Sequence, residues 1–234
     1  MRRARGFTLV ELAVAFAVVA LLLGMLVVPL NTQIDQQRIS ETQKHLSLVH
    51  EALLGFAVAQ GRLPCPATPG TASTAAGAGL ENKPGIACAP ALIVGTVAVG
   101  VVPWATLGVP ETDPWGHRYT YSVHANFADD PTGGVQATLA VADSGSITVT
   151  SGGGAPVTIA ANMAAAVVSH GKNGRGAFRP DGTQVAGAAG DELENADADA
   201  TFVSKIPEPN FDDQVLWLSP NVLKSRMVAA NRLP

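Results

Sequence analysis

The sequence predicts an α+β fold, in which a long N-terminal α-helix packs on a small antiparallel β-sheet head with long loops. Three observations predict it. An uncharged apolar run from Leu12 to Leu30 stands near the start, and an apolar stripe at helical spacing follows it. Beyond residue 61, short segments with a period of two recur between Gly- and Pro-rich stretches.

With 234 residues the chain accommodates one domain of ordinary size plus an appendage. The formal net charge is -4, and no long block of Lys or Arg exists beyond the first residues. A phosphate-binding footprint is therefore missing, and nucleic acid is not expected as a partner. Scarce aromatics and abundant Ala and Gly predict a loop-rich head.

The run from Leu12 to Leu30 would span ~28 Å as a helix, close to the hydrocarbon thickness of a bilayer. A secretory signal peptide is the rival reading, but its apolar region is shorter and a small-residue cleavage site follows it. Here Pro29, Leu30, Asn31, Thr32 and Gln33 follow instead. Arg2, Arg3 and Arg5 precede the run and Asp35 is the first charge beyond it. The positive-inside rule then keeps residues 1–6 in the cytoplasm and exports the rest, giving a single-pass membrane protein with its head outside the cytoplasm. Glu11 does not suit a plain anchor, because a carboxylate in an apolar span is costly and by default functional; a Glu snorkelling to the interface is the alternative.

The helix continues past the span. Ile39, Leu46, Val49, Leu53 and Phe56 form one apolar stripe, while Gln36, Gln37, Arg38, Glu41, Lys44 and His45 face outward. Pro29 would kink or locally melt the helix, and Gly61 with Pro64 would end it. In the head, Arg118 to Val123 alternates with period two. Val135 to Val141 and Ser146 to Thr150 read as strands joined by a turn at Asp143-Ser144-Gly145, so a meander is expected. Val157 to Ala160 and Ala164 to Ser169 are further strands, the Ala-rich one being equally compatible with a helix. Ser219 and Pro220 read as N-cap and first residue of a C-terminal helix that carries Val222, Leu223, Arg226, Met227 and Ala230.

Cys65 and Cys88 are the only cysteines and both lie past the span, in a compartment where disulfides persist. A bond between them is expected, two free thiols being the alternative. It would stabilise a Gly- and Ala-rich loop by ~3 kcal/mol in the chain-entropy model.

Gly6-Phe7-Thr8-Leu9-Val10-Glu11-Leu12, after a short Arg-rich leader and before an uncharged span, resembles the N-terminal signature of type IV pilins and type II secretion pseudopilins. The resemblance implies a pilin-like fold with a cleaved leader at 1–6, a transmembrane and assembly helix at 7–30, an amphipathic continuation at 31–61 and a periplasmic head at 62–234. It implies that a prepilin peptidase and methyltransferase cuts after Gly6 and methylates the amine of Phe7. It also implies that Glu11 neutralises that amine on a neighbouring subunit, which agrees with the need to pair opposite charges in a low-dielectric bundle.

Asp113-Pro114-Trp115-Gly116-His117-Arg118-Tyr119-Thr120-Tyr121 resembles the segment that leads into the sheet of major pseudopilins, and turn chemistry alone accounts for it. Ser169 to Gly174 and Glu194 to Asp197 resemble their calcium loop, with Asn173 where the family usually has Asp. Asn173, Asp191, Glu192 and Asp197 are the candidate calcium ligands, and a solvated acidic loop is the other reading of them.

No H-E-x-x-H, G-x-S-x-G or phosphate-cradling loop occurs, so an enzyme is not expected. Two function classes remain. One is a structural subunit, a minor pilin or pseudopilin of a secretion pseudopilus, type IV pilus or DNA-uptake pilus, assembling with other such subunits. The other is a periplasmic binding or catalytic domain on an uncleaved anchor.

Overall fold

The computed structural model describes residues 7–84, 88–89, 92–128 and 139–233, and the side chains of 23–31 and 92–94 lie outside that description. In chain order the elements are α1 (Leu9–Gln60), β1 (Leu92–Val94), β2 (Val97–Val101), α2 (Trp104–Leu107), β3 (Thr120–His124), α3 (Ala125–Ala128) and β4 (Ile147–Thr150). After them come β5 (Thr158–Met163), β6 (Ala165–Ser169), α4 (Asp191–Glu194), β7 (Thr201–Val203), β8 (Gln214–Leu218) and α5 (Pro220–Ala229). The chain forms two compact units, residues 1–41 and 42–234.

In the first unit, residues 9–22 of α1 are apolar on every side except at Glu11. Leu9, Val10, Leu12, Val14, Phe16, Val18, Val19, Leu21 and Leu22 are all exposed. The backbone stays helical through Pro29, so the local melting that a missing N–H allows does not occur there. Among the described residues no helix is long and apolar enough to cross a membrane. The expected crossing at 12–30 falls in part on 23–30, whose side chains are not described.

In the second unit, the buried stripe of α1 is Thr42, Leu46, Val49, Leu53 and Ala57, with Leu54 beside it. The spacings of four, three, four and four are those of one helical face. His45 corrects an expectation: it does not face outward but is half-buried, within 3.1 Å of the Tyr119 hydroxyl. Phe56 sits at the edge of the stripe, under the Arg62 guanidinium at 5.4 Å. Gly61 ends the helix in the left-handed region at φ 75°, and its N–H donates to Ala57 O at 2.8 Å.

The head is not one meander but two sheets. The larger is antiparallel throughout, in the order β1-β2-β3-β6-β8; the smaller is β5-β4-β7, in which β4 pairs antiparallel with β5 and parallel with β7. The expected partner of β4, Val135 to Val141, is not a strand where it is described: 135–138 lie outside the described residues, Leu139 and Ala140 belong to no element and Val141 lies in a turn. The Ala-rich segment is strand β6, not a helix.

Layering follows from strand periodicity. Ala98, Tyr121, Val123, Ala165 and Val167 project from one face of the larger sheet, into a core shared with Leu46, Val49, Leu53 and Ala57 of α1 and Leu223 and Met227 of α5. Val97, Val99, Ala166 and Val168 project from the other face onto Ile147 and Val149 of β4 and Phe202 of β7. The larger sheet is therefore the middle layer, and β2 and β6 are buried at every position. The helix α5 begins as its sequence predicts, with Ser219 Oγ accepting from Asn221 N at 3.3 Å and Pro220 at the first helical position. A disulfide joins Cys65 to Cys88, as expected.

Arg118 ties the loops to the middle layer. Its side chain is fully buried at the start of β3, where Nη1 donates to Pro69 O (2.8 Å) and Thr71 O (2.7 Å). Nη2 donates to Pro180 O at 3.2 Å, and Glu111 Oε1 receives both Nε (2.9 Å) and Nη2 (2.8 Å). The guanidinium also lies 4.6 Å from the Trp104 ring. The preceding turn is held by Asp113, whose Oδ1 accepts the N–H groups of Trp115 (3.0 Å) and His117 (2.9 Å) while Oδ2 accepts Ser169 Oγ at 2.8 Å.

Candidate functional sites

Two places carry the residues singled out in the sequence. The first is the start of α1. Gly6 lies outside the described residues, and Phe7 is exposed just ahead of the helix. Thr8 is the residue before the first helical one, and Glu11 is the third residue of the helix. Thr8 N and Thr8 Oγ1 both donate to Glu11 Oε2 at 2.9 Å, while Glu11 N donates back to Thr8 Oγ1 at 3.3 Å. This reciprocal capping box satisfies two of the donors that a helix start leaves orphaned. The Thr-x-x-Glu spacing that signals it stands in the sequence at 8–11, so Thr8 was legible and overlooked. An anionic group at a helix N-terminus is further favoured by the helix dipole.

The second place is an acidic pocket at one end of the middle layer. β6 delivers His170 into a tight turn, in which Gly174 N donates to His170 O at 3.0 Å and Gly171 and Gly174 take φ of 58° and 63°. That turn aims Asn173 at the segments before β8 and around α4. Asn173 N donates to Asp212 Oδ2 at 3.0 Å, and Asn173 Nδ2 donates to Glu192 Oε1 at 2.6 Å. Glu192, Asp212 and Asp213 bring carboxylate oxygens within 4.8 Å of one another. Asn195 Nδ2 donates to Asp213 Oδ2 at 2.8 Å, and Arg175 Nη1 lies 3.3 Å from Glu192 Oε2.

The electrostatics of this pocket are unbalanced. Burial pushes the Asp213 carboxyl up to about 8; the Asn195 hydrogen bond opposes this, and the charges of Asp212 and Glu192 add to it. Asp212 is also raised, first by burial and then by Glu192. His170 is pushed down to about 4 by burial, with His117 contributing in the same direction, so it is neutral. Its Nε2 is 2.8 Å from Thr120 Oγ1 and its Nδ1 is 3.9 Å from Asp213 Oδ2. Asp212 Oδ1, Asp213 Oδ1 and His170 Nδ1 are buried without hydrogen-bond partners among the described residues.

The structure thus regroups the candidate calcium ligands. Of Asn173, Asp191, Glu192 and Asp197, only Glu192 contributes a carboxylate to the cluster. Asn173 is adjacent, but its Oδ1 accepts from Arg175 N at 2.9 Å and its amide turns a donor toward Glu192. Asp191 points away to Lys205 at 2.8 Å, and that partner, with Gly153 N, holds its carboxyl low. Asp197 is exposed. The residues missed are Asp212 and Asp213. Their signal is an Asp pair set between Phe211 and the apolar run of β8, where a charge is out of place unless it is used. The set fits a hard divalent cation, since the three clustered side chains are all carboxylates and two of their oxygens have no hydrogen-bond partner among the described residues.

Comparison with known proteins bears on the first of these places. Residues 1–27 match the prokaryotic N-terminal methylation motif, and the chain accordingly carries the prepilin-type signature of type IV pilins and pseudopilins. No curated protein and no solved structure matches the chain. The fold is α+β on its own geometry.

Proposed function

We propose that this chain is a structural subunit, a minor pilin or pseudopilin, of a type IV pilus-like or type II secretion filament. The observation that carries the reading is the methylation motif, set on a helix whose first residues are apolar on every side and bear one carboxylate, Glu11. A helix that is apolar all round must be buried, in lipid before assembly and among other helices afterwards. The subunit is held in the inner membrane with its head in the periplasm, is cut after Gly6 by the prepilin peptidase and methyltransferase, and carries N-methylated Phe7. It then joins other pilin or pseudopilin subunits. Its role is structural, not catalytic.

Intact-mass analysis of protein from cells that hold the peptidase tests this. The expected mass is that of a chain beginning at N-methylated Phe7. A mature protein retaining residues 1–6 in such cells would overturn the reading in favour of a domain on an uncleaved anchor.

We further propose that the acidic pocket takes calcium through Glu192, Asp212 and Asp213. Bound there, the ion would offset the cost of charging Asp213 in its buried place. The support is the two unpartnered carboxylate oxygens and the raised Asp213. In chelator, a carboxyl raised in the folded state stabilises fully only below its unfolded value, and that contribution is lost as pH rises through the folded value near 8. His170, depressed in the folded state, loses its contribution only as pH falls below about 6.5. Denaturant unfolding of the full chain in detergent is therefore expected to show stability falling by about 1 kcal/mol from pH 6.5 to 8. Calcium should restore it, more strongly at pH 8, because its ligands must first lose their protons. Asp213→Asn should abolish both the fall and the calcium gain. An unchanged calcium response in that variant refutes the site.

A further inference from the structure

Two features of the head are used neither by the N-terminal helix nor by the acidic pocket. The first is Ile206, at 83% the most exposed large apolar side chain among the described residues of the second unit. It stands in the loop between β7 and β8, next to Pro207. That loop is braced: Lys205 Nζ reaches Asp191 Oδ2 at 2.8 Å and Glu208 Oε2 at 3.2 Å, and lies 4.9 Å from the Phe211 ring. Glu208 N donates to Phe211 O at 2.7 Å and Phe211 N to Glu208 O at 3.0 Å, while Pro207 and Pro209 have fixed φ. A single exposed aliphatic is ordinary, but one on a braced loop gives up little entropy when it is bound. The second feature is a pocket of about 240 Å³ over the face of the middle sheet that carries Val99 and Thr120. Phe178, Gln184, Ala196 and Ala198 help to wall it, and none of its lining residues among those described carries a charge. A dry cavity of about 150 Å³ holds benzene, so this one has room for a branched four-carbon side chain.

We propose that Ile206 of one copy of this chain enters that pocket on the next copy. The proposal rests on the filament reading above and gives it a contact between heads. Within its own chain Ile206 is too exposed to be the occupant. Knob and pocket are different surfaces of one chain, so joining two copies leaves a knob free on one and a pocket free on the other. A heterologous contact of this kind propagates into an open helical assembly, which a two-fold contact cannot do. The chemistry also matches, because an aliphatic side chain against uncharged walls leaves no buried charge unpaired.

Crosslinking between copies tests it. Full-length Ile206→Cys and Gln184→Cys chains are produced together in cells with the filament machinery and treated with a short thiol-specific bifunctional reagent, to which the Cys65–Cys88 disulfide is inert. Gln184 is exposed, so its replacement leaves the core untouched. Ile206→Cys with Val222→Cys is the control pair, since Val222 is exposed on α5, which packs on the opposite face of the middle sheet. A crosslink between copies is expected in the first pair and not in the second. Ile206→Asp sets a charge against the pocket walls, and its filament incorporation per processed subunit should fall roughly tenfold, the effect of withholding one buried aliphatic side chain. No crosslink in the first pair, equal crosslinking in both, or wild-type incorporation of Ile206→Asp overturns the proposal. So does a crosslink from Ile206→Cys to a different protein with none to Gln184→Cys, which would assign the knob to another partner. If such a failure occurs while mature chains beginning at Phe7 are found in filaments, only this contact is wrong. If the chains retain residues 1–6 and enter no filament, the filament reading fails with it.

Discussion

A Glu11→Leu chain is expected to be cleaved after Gly6 yet to accumulate in the inner membrane, depleted from sheared or crosslinked filament fractions. Removing one charge from the start of the span eases insertion by up to about 3 kcal/mol, and the leader that the peptidase reads is unchanged. On the proposed assembly role of Glu11, what is lost is the counter-charge for a neighbouring Phe7 amine, which would then be unpaired in a low-dielectric bundle at a cost of several kcal/mol. The capping box supplies a control that the leucine variant lacks. Gln at the third helical position still completes a box with Thr8, so Glu11→Gln retains the helix start and removes only the charge. It should fail as Glu11→Leu fails. Glu11→Asp, one methylene shorter, should incorporate in part. Filament incorporation of Glu11→Gln at the wild-type level would show that hydrogen bonding at this position, not charge, governs assembly.

The largest stability effect is expected at Arg118. Arg118→Ala takes the guanidinium donors from Pro69 O and Thr71 O, leaves Pro180 O and Glu111 Oε1 with Ser73 as their donor, and empties a fully buried site. Breaking a buried charge network from one side costs about 3–5 kcal/mol. For a head of this size that corresponds to a fall of roughly 10 °C in Tm. Glu111→Ala should cost less, because that carboxylate is partly exposed and water takes up part of its role. Thermal unfolding of full-length chains in detergent decides it, and an Arg118→Ala shift below that of Glu111→Ala would contradict the account.

Local signals were legible where one residue type does one physical job. Gly61 at positive φ, the Ser219-Pro220 helix start and the disulfide between Cys65 and Cys88 all stand where chain-local chemistry puts them. The strands β2 and β6 were hard for the opposite reason. Both faces of the middle sheet are covered, so Val97 to Val101 shows no alternation and Ala165 to Ser169 reads as well for a helix. β7 has three residues and draws its pairing from a parallel partner about fifty positions earlier, which no local pattern announces. Arg118 falls on an alternating segment, where an Arg ordinarily faces water. At the acidic pocket, loop resemblance pointed to ligands within 173–197, whereas the fold folds Asp212 and Asp213 back over that loop.

The parallel pairing of β4 with β7, and the place of β8 beside β6, also set an order of events. β6 cannot be covered on its second edge until residues 214–218 are present, and Leu223 and Met227 close the core only after those. Closing such distant contacts is slow, since chain entropy must be given up before the pairing compensates it. The head therefore stays open until its last strand is available, and a chain cut short before residue 214 leaves the second edge of β6 bare.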